Sequence, residues 1–273
     1  MIKKDFSPTV YKFKDSVMEH VENSNLFKSY LKTTQFIQVF SGTLWGEGPC
    51  YIPHKDMLVW SDNPNNRMMK LLNGKISEFR NPSNFSNGNT IDNDESLLTC
   101  SHGGRCVYKI DDNLNVSVVV NSFEGKKLNS PNDICVKSDD TIWFTDPPYG
   151  IMSDYEGYPG EQEYGGCYVF CFNPKTKKLN VIIDDLDRPN GIAFSPDEKR
   201  LYVADTAENL RHLYSFDIIN GKALNKKLIY DFKPFFSDGF RCDKDGNIWT
   251  SAGKAIKCFN PNHELIGQIL VPE

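Results

Sequence analysis

The sequence lacks an excess of positive charge, a long hydrophobic run, a Cys-x-x-Cys pair and the short motifs of nucleophilic or nucleotide chemistry. Each absence excludes something. A formal net charge of −5 leaves no basic stripe for a nucleic acid. No apolar run approaches membrane length, and the opening Met-Ile-Lys-Lys-Asp-Phe lacks a signal-peptide centre, so no membrane partner is expected and the cytoplasm is the expected location. Eight cysteines (Cys50, Cys100, Cys106, Cys135, Cys167, Cys171, Cys242 and Cys258) are scattered through apolar patterns such as Leu-Leu-Thr-Cys100. Small buried thiols in a reducing compartment account for them better than a disulfide framework or a zinc site. Without a Gly-x-Ser-x-Gly elbow there is no serine nucleophile to argue from. No glycine-rich phosphate cradle is present either.

What is present is repetition. A polar residue opens an apolar strand at Glu47-Gly48-Pro49, Asn89-Thr90, Pro131-Asn132-Asp133, Pro189-Asn190-Gly191 and Asp238-Gly239. Twelve to fifteen residues later a second strand ends in Asp62, Ser101, Asp146, Asp205 or Ser251. The openers recur every forty-odd residues with several short strands per period, the signature of propeller blades. Neither a Trp-Asp dipeptide nor kelch-type paired glycines stand where those subfamilies carry them. The first unit divides into strands at Gly48–Ile52, Met57–Ser61, Arg67–Leu72 and Lys75–Phe79, with turns at Pro53-His54-Lys55-Asp56 and Asn73-Gly74. The longer third unit carries an insertion, Ile151–Gly165, of a size that on a rigid scaffold serves as a lid or stays disordered. Residues 1–34 are expected to be an N-terminal extension with a short helix around Ser16–Lys32, and residues 35–273 the propeller domain. Gln35–Phe40 is a strand without partners of its own.

In a propeller the first strand of each blade lines the central channel. Glu47, Asn89, Asn132, Asn190 and Asp238 are therefore expected to converge at one end of it. Two carboxylates and three amides are oxygen ligands, which favours a hard cation, calcium first and magnesium or manganese next. Asn and Asp also start strands simply as turn residues; five in register, both acids included, favour the metal. His102, in Ser-His-Gly-Gly-Arg, is a candidate substrate contact or an ordinary turn histidine. Tyr149, in Asp146-Pro147-Pro148-Tyr149-Gly150, is a candidate pocket wall. Asp62 and Asp205 are expected to cap strand ends and bond to neighbouring backbone.

The motifs Gly46-Glu47-Gly48-Pro49, Asn129-Ser130-Pro131-Asn132-Asp133, Trp143-Phe144-Thr145-Asp146-Pro147-Pro148-Tyr149-Gly150, Arg188-Pro189-Asn190-Gly191 and Asp238-Gly239-Phe240-Arg241 resemble the gluconolactonase/senescence-marker-protein (regucalcin-like) family, its microbial sugar-lactone lactonase branch above all. The similarity runs from about Gln35 to Pro272. It implies an all-β, six-bladed β-propeller with one catalytic divalent cation, usually calcium, with zinc also among the metals to test. By motif the metal ligands fall on Glu47, Asn190 and Asp238. Asn132 matches an asparagine that contacts substrate or metal. An arginine that binds substrate in animal members falls on Ser130. The sixth blade's inner strands, which follow a Val-Pro-Glu like that at 271–273, are missing, so an incomplete sixth blade is expected, leaving the face of blade five bare.

Two functions follow as expectations. One is a metal-dependent hydrolase opening a sugar lactone, with Asp238 as the catalytic residue steering or deprotonating water and Asn132, His102, Tyr149 and Asn89 contacting the small-molecule substrate. The other is a non-enzymatic propeller that binds a cation or a partner, since fold alone does not fix function. Neither the particular lactone nor the oligomeric state is readable from these residues.

Overall fold

The structure, a computed structural model, describes residues 9–12, 18–19, 24–31 and 35–271. Alternating apolar residues and turn-forming pairs fold residues 46–270 into five antiparallel sheets of four strands, each a simple meander. In blade one the strands are Gly46–Ile52, Met57–Asp62, Arg67–Leu72 and Lys75–Arg80. They match the sequence expectation to within two residues at each boundary. Its last hairpin turns on Asn73-Gly74, both at positive φ (51° and 71°), the type I′ geometry whose twist suits the flanking strands. Blade two runs from Ser86 to Val120, three from Ile134 to Leu186, four from Pro189 to Asp231 and five from Ser237 to Leu270. The all-β propeller expected from the period is present, with five four-stranded blades among the described residues.

Successive side chains of a strand point to opposite faces, so each blade can be apolar on both. Val59 and Met68 of blade one meet Leu97 and Ile110 of blade two, and Leu98 and Cys100 of blade two meet Ile134 and Phe144 of blade three. Trp143 joins Ile192 and Val203 across the next seam, and Tyr202 and Leu213 join Phe240 and Phe259 across the last. Burying one such side chain contributes about 1.5–3 kcal/mol, against at most about 1 for an exposed ion pair. The seams hold the propeller.

The face of blade five turned away from blade four departs from expectation. Helix Ser24–Tyr30 lies on it, with Phe27, Tyr30 and Leu31 forming one stripe at helical spacing. Phe27 is fully buried against Cys258 and Ile266, and the rings of Phe27 and Tyr30 stand 5.9 and 6.4 Å from Trp249. Phe27 fills the space above Gly267, where a β-carbon would collide with its ring. Met18–Glu19 extends the same sheet at its outer edge. Blade five is therefore partly covered rather than bare, because an apolar sheet face needs a cover and the N-terminal segment supplies one. Gln35–Gln38 also has a partner, pairing antiparallel with Thr9–Lys12.

All eight cysteines are unpaired, six of them buried. No helix among the described residues is long and apolar enough to cross a membrane.

Candidate active site

The inner strand slips register against its neighbour at the same place in four blades: between Glu47 and Cys50, Ser86 and Asn89, Pro189 and Ile192, and Ser237 and Phe240. The first facing pairs of these strands are Gly46 with Asp62, Ser86 with Ser101, Pro189 with Asp205 and Ser237 with Ala252; in blade one Glu47 also faces Ser61 before the slip. The following residue, Glu47, Asn87, Asn190 or Asp238, lines the channel cavity together with Asn132 of blade three. Bulges of this kind re-aim side chains beside active sites.

This register corrects two sequence assignments. Blade two contributes Asn87 to the cavity, not Asn89, and the second strand of blade five ends at Ala252, not Ser251. The Asn89 amide is instead committed to structure, donating to Gly48 O, Ser61 Oγ and Asn87 O at 2.8, 3.0 and 3.0 Å. A polar residue followed by glycine was the available signal. A β-carbon on Gly88 would lie 2.5 Å from the Asn132 carbonyl oxygen, and one on Gly191 would collide with that of Asp238. Glycine lets each inner strand press on the next. At Gly239 a β-carbon meets nothing within 4 Å, so the ring is open beside blade five among the described residues.

Buried acids at the second-strand ends fix the loops that enter the inner strands, as expected for Asp62 and Asp205. Asp62 accepts from the Leu44 N–H (3.0 Å), Asp146 from those of Asn129 and Ser130 (2.8 Å each), and Asp205 from those of Asp187 and Arg188 (3.0 Å each). Asp146 also accepts from the Tyr164 hydroxyl. Burial still pushes its pKa up to about 7.

The cavity has an outer chamber of about 260 Å³ walled by Glu47, Asn132, Asn190 and Asp238, with the half-exposed rings of Trp45 and Phe236 beside them. A second chamber of about 310 Å³ continues toward Arg241 and Trp249. Glu47 accepts a 2.6 Å bond from the Trp45 indole N–H. Burial, and then Asp238, push the Glu47 carboxyl well above its usual range. Burial, and then Asp133 and Glu156, push Asp238 up to about 6, against a hydrogen bond from Asn190. No lysine or arginine lines the outer chamber.

Two carboxylates with raised pKa values, Glu47 in part through Asp238, stand beside two amides and form an oxygen-donor set suited to a hard divalent cation. No three His, Cys, Asp or Glu side chains gather closely enough to hold an ion by themselves among the described residues. The amide oxygens of Asn190 and Asn132 are further side-chain donors that line the same chamber.

His102 stands behind this set rather than in the cavity wall. It is fully buried, and burial pushes its pKa down to about 4. Its Nδ1 lies 3.2 Å from the Glu156 carbonyl oxygen and its Nε2 lies 3.4 Å from Asn132 Nδ2. A neutral imidazole that donates through Nδ1 leaves Nε2 to accept from the amide, which turns Asn132 Oδ1 away from the histidine. Tyr149 is in the outer wall, its hydroxyl 2.5 Å from Thr206 Oγ1, and burial raises its pKa to about 12. Ser130 is buried, donating to Pro147 O (2.6 Å) and accepting from the Gly150 N–H (2.9 Å), so it shapes the Pro147–Gly150 turn. Asn87, Trp45, Phe236 and Glu156 line the outer chamber without having been expected there.

Fold and site together define a class, a β-propeller with an acidic, oxygen-rich small-molecule cavity at one end of its channel. Residues 45–273 match the sequence profile of the SMP-30/Gluconolactonase/LRE-like region, and the chain belongs to that family. It is 35% identical over 256 residues to a gluconolactonase of Zymomonas mobilis, spanning 85% of this chain and 71% of that one. A gluconolactonase structure from Xanthomonas campestris superposes with a TM-score of 0.81 at 34% identity, over 84% of this chain and 76% of that one. A calcium-binding regucalcin from Agrobacterium tumefaciens shares the fold, with a TM-score of 0.68 at 19% identity over 85% of this chain and 76% of that one.

Proposed function

We propose that this chain is a divalent-cation-dependent hydrolase that opens a sugar lactone. The observation that carries the reading is the meeting of Glu47, Asn132, Asn190 and Asp238 in one cavity, in a chain so similar to a gluconolactonase. Glu47, Asn190 and Asp238, with the Asn132 amide, would hold the cation, calcium before magnesium, manganese or zinc. When bound, the cation supplies Lewis-acid polarisation of the lactone carbonyl, an effect worth several kcal/mol.

The chain's own residues do the rest. Asp238 orients a water and takes its proton as the oxygen adds to the carbonyl carbon. The ring C–O bond then breaks, the proton passes to the departing ring oxygen, and a hydroxy acid results. Asn132, held by His102, and Tyr149 position the substrate, while Trp45 and Phe236 offer flat faces to the C–H side of a sugar ring. Asn89 keeps its structural role and leaves the substrate set. A ring ester needs no covalent intermediate, in keeping with the missing nucleophile. Six-blade closure belongs to the same reading, with the antiparallel pair of Thr9–Lys12 and Gln35–Gln38 as the outer part of the sixth blade.

Opening of D-glucono-1,5-lactone, followed by acid release above the spontaneous rate with calcium, manganese or zinc, tests this. Turnover should be lost on chelation and fall at least about 100-fold in Glu47→Ala. No opening with any of these ions, or a Glu47→Ala variant as fast as wild type, overturns it. Cation binding without turnover across a lactone and ester panel would favour a non-enzymatic cation-binding propeller.

A further inference from the structure

The insertion Ile151–Gly165 is folded across blades two and three, touching Phe85, His102 and Arg105 on one side and Asp146 on the other, and brings one carboxylate, Glu156, into the outer chamber. Its backbone is pinned. The Tyr158 N–H donates to Gly150 O at 3.0 Å, the Gly160 N–H to Ile151 O at 3.0 Å, and the Tyr158 ring packs 5.2 Å from that of Phe85. A β-carbon on Gly157 would collide with the Gly150 carbonyl, and one on Gly150 with His102. The carbonyl of Glu156 itself accepts from the buried His102. The loop therefore delivers Glu156 to a fixed place.

Among the described residues no donor lies within hydrogen-bond distance of the carboxylate at that place. His102 Nδ1 lies 3.7 Å from its Oε2, beyond hydrogen-bond reach, and is already committed to the backbone carbonyl. Among the described residues no lysine or arginine lines the chamber, so its wall offers no counter-charge and would not welcome an anionic ligand. Glu156 is also not placed to share an ion with Glu47 and Asp238, since no three such side chains gather closely enough among the described residues. A half-buried carboxylate facing a cavity without donors is complementary to a ligand that brings neutral ones. Hydroxyl-to-carboxylate bonds are short and among the strongest of the uncharged-donor kind.

We propose that Glu156 is the specificity-determining residue of this cavity, accepting hydrogen bonds from the ring hydroxyls of a polyhydroxylated lactone. The inference rests on the lactonase reading above and deepens it. An unsubstituted lactone displaces water from the half-buried carboxylate without offering it a hydroxyl in return, so the residue selects for hydroxyls by penalising their absence. Because Glu156 is not a ligand of the cation set, its contribution falls on substrate binding, and so on KM more than kcat.

The test compares kcat/KM for D-glucono-1,5-lactone with that for unsubstituted 1,5-pentanolactone in wild type, Glu156→Gln and Glu156→Asp. Calorimetric binding of D-glucitol, a polyol without a carbonyl, to the calcium-loaded proteins is measured alongside. The preference for the hydroxylated lactone should fall about 10- to 100-fold in Glu156→Gln, mostly through KM, with glucitol binding weakened to match. Glu156→Asp, which keeps the charge but withdraws it, should lie between and guards against a misfolded amide variant. An unchanged preference with unchanged glucitol binding overturns the role of Glu156 while the lactonase reading stands. Should neither lactone be opened by wild type, glucitol binding decides alone: weakening in Glu156→Gln supports the polyol contact although the hydrolase reading has failed, and equal binding overturns both.

Discussion

Arg241 of blade five reaches Asp133, at the entry of blade three, across the channel, its Nη1 and Nη2 lying 2.8 and 3.0 Å from Oδ2 and Oδ1. Asp133 is buried and also accepts from the backbone N–H groups of Ile134 and Ile192 at 2.9 and 3.1 Å. Arg241 donates onward to the carbonyls of Phe240 (2.7 Å) and Asn89 (3.1 Å). One guanidinium thus ties the inner strands of blades two, three, four and five beside the cavity that holds Glu47 and Asp238. The planar fork of arginine suits this two-oxygen grip, which a lysine would not reproduce.

Asp133 is buried but the Arg241 side chain is 42% exposed, so losing the arginine strands the carboxylate while solvent screens part of the charge. Arg241→Met should therefore lose about 1–2 kcal/mol in urea unfolding, less than for a fully buried pair, and Arg241→Met combined with Asp133→Asn should lose less than Arg241→Met alone. A single variant within about 0.5 kcal/mol of wild type would mean that the propeller does not depend on this tie.

His102 gives the protein an acid-side weakness. Its folded pKa, about 4, lies below the ordinary 6.5, so the unfolded chain binds the proton first and stability falls as pH drops through that window. The window contributes up to about 3 kcal/mol. His102→Gln should remove this part of the pH dependence between about pH 6.5 and 4, read as the difference between the two proteins' unfolding curves. Parallel curves would show that His102 does not titrate with unfolding.

Glu47 and Asp238 act in the opposite direction. Both are raised, Asp238 to about 6, so without a cation the folded state holds their protons more tightly than the unfolded chain does, and stability is lost as pH rises through that range. Calcium should restore it, and restore more at pH 8 than at pH 5, where protons compete for the same oxygens. Thermal melts with and without calcium at both pH values measure this. The calcium-dependent shift should vanish in Asp238→Asn, and a shift independent of pH and of Asp238 would place the cation elsewhere.

Much of the fold was legible because it is written locally. Asn73-Gly74 can hardly be anything but a tight turn, and the short apolar runs in Met57–Asp62 and Arg67–Leu72, bounded by turns, mark strands before any contact is known. The site was legible where a residue sits beside its own signal, as Glu47, Asn190 and Asp238 sit beside a glycine. Blade two was misread by two residues because Asn87 and Asn89 share a residue type; the glycine that follows only Asn87 is the local signal, and the bulge decides which of the two faces the cavity. Periodicity counts residues. It does not show where a strand slips against its neighbour.

By itself, then, the sequence determined the repeat, the turns, the apolar faces and the polar openers of the inner strands, since each depends on residues a few positions apart. Tertiary structure alone decided the rest. Arg241 and Asp133 are 108 positions apart and meet only because the blades close around a common axis. Asn132 is oriented by His102 from another blade, and Glu156 arrives on an insertion whose path no period records. Helix Ser24–Tyr30 finds blade five because that face is apolar and otherwise unmet there. Local chemistry chooses the strands, and burial across the whole chain chooses which side chains share a cavity.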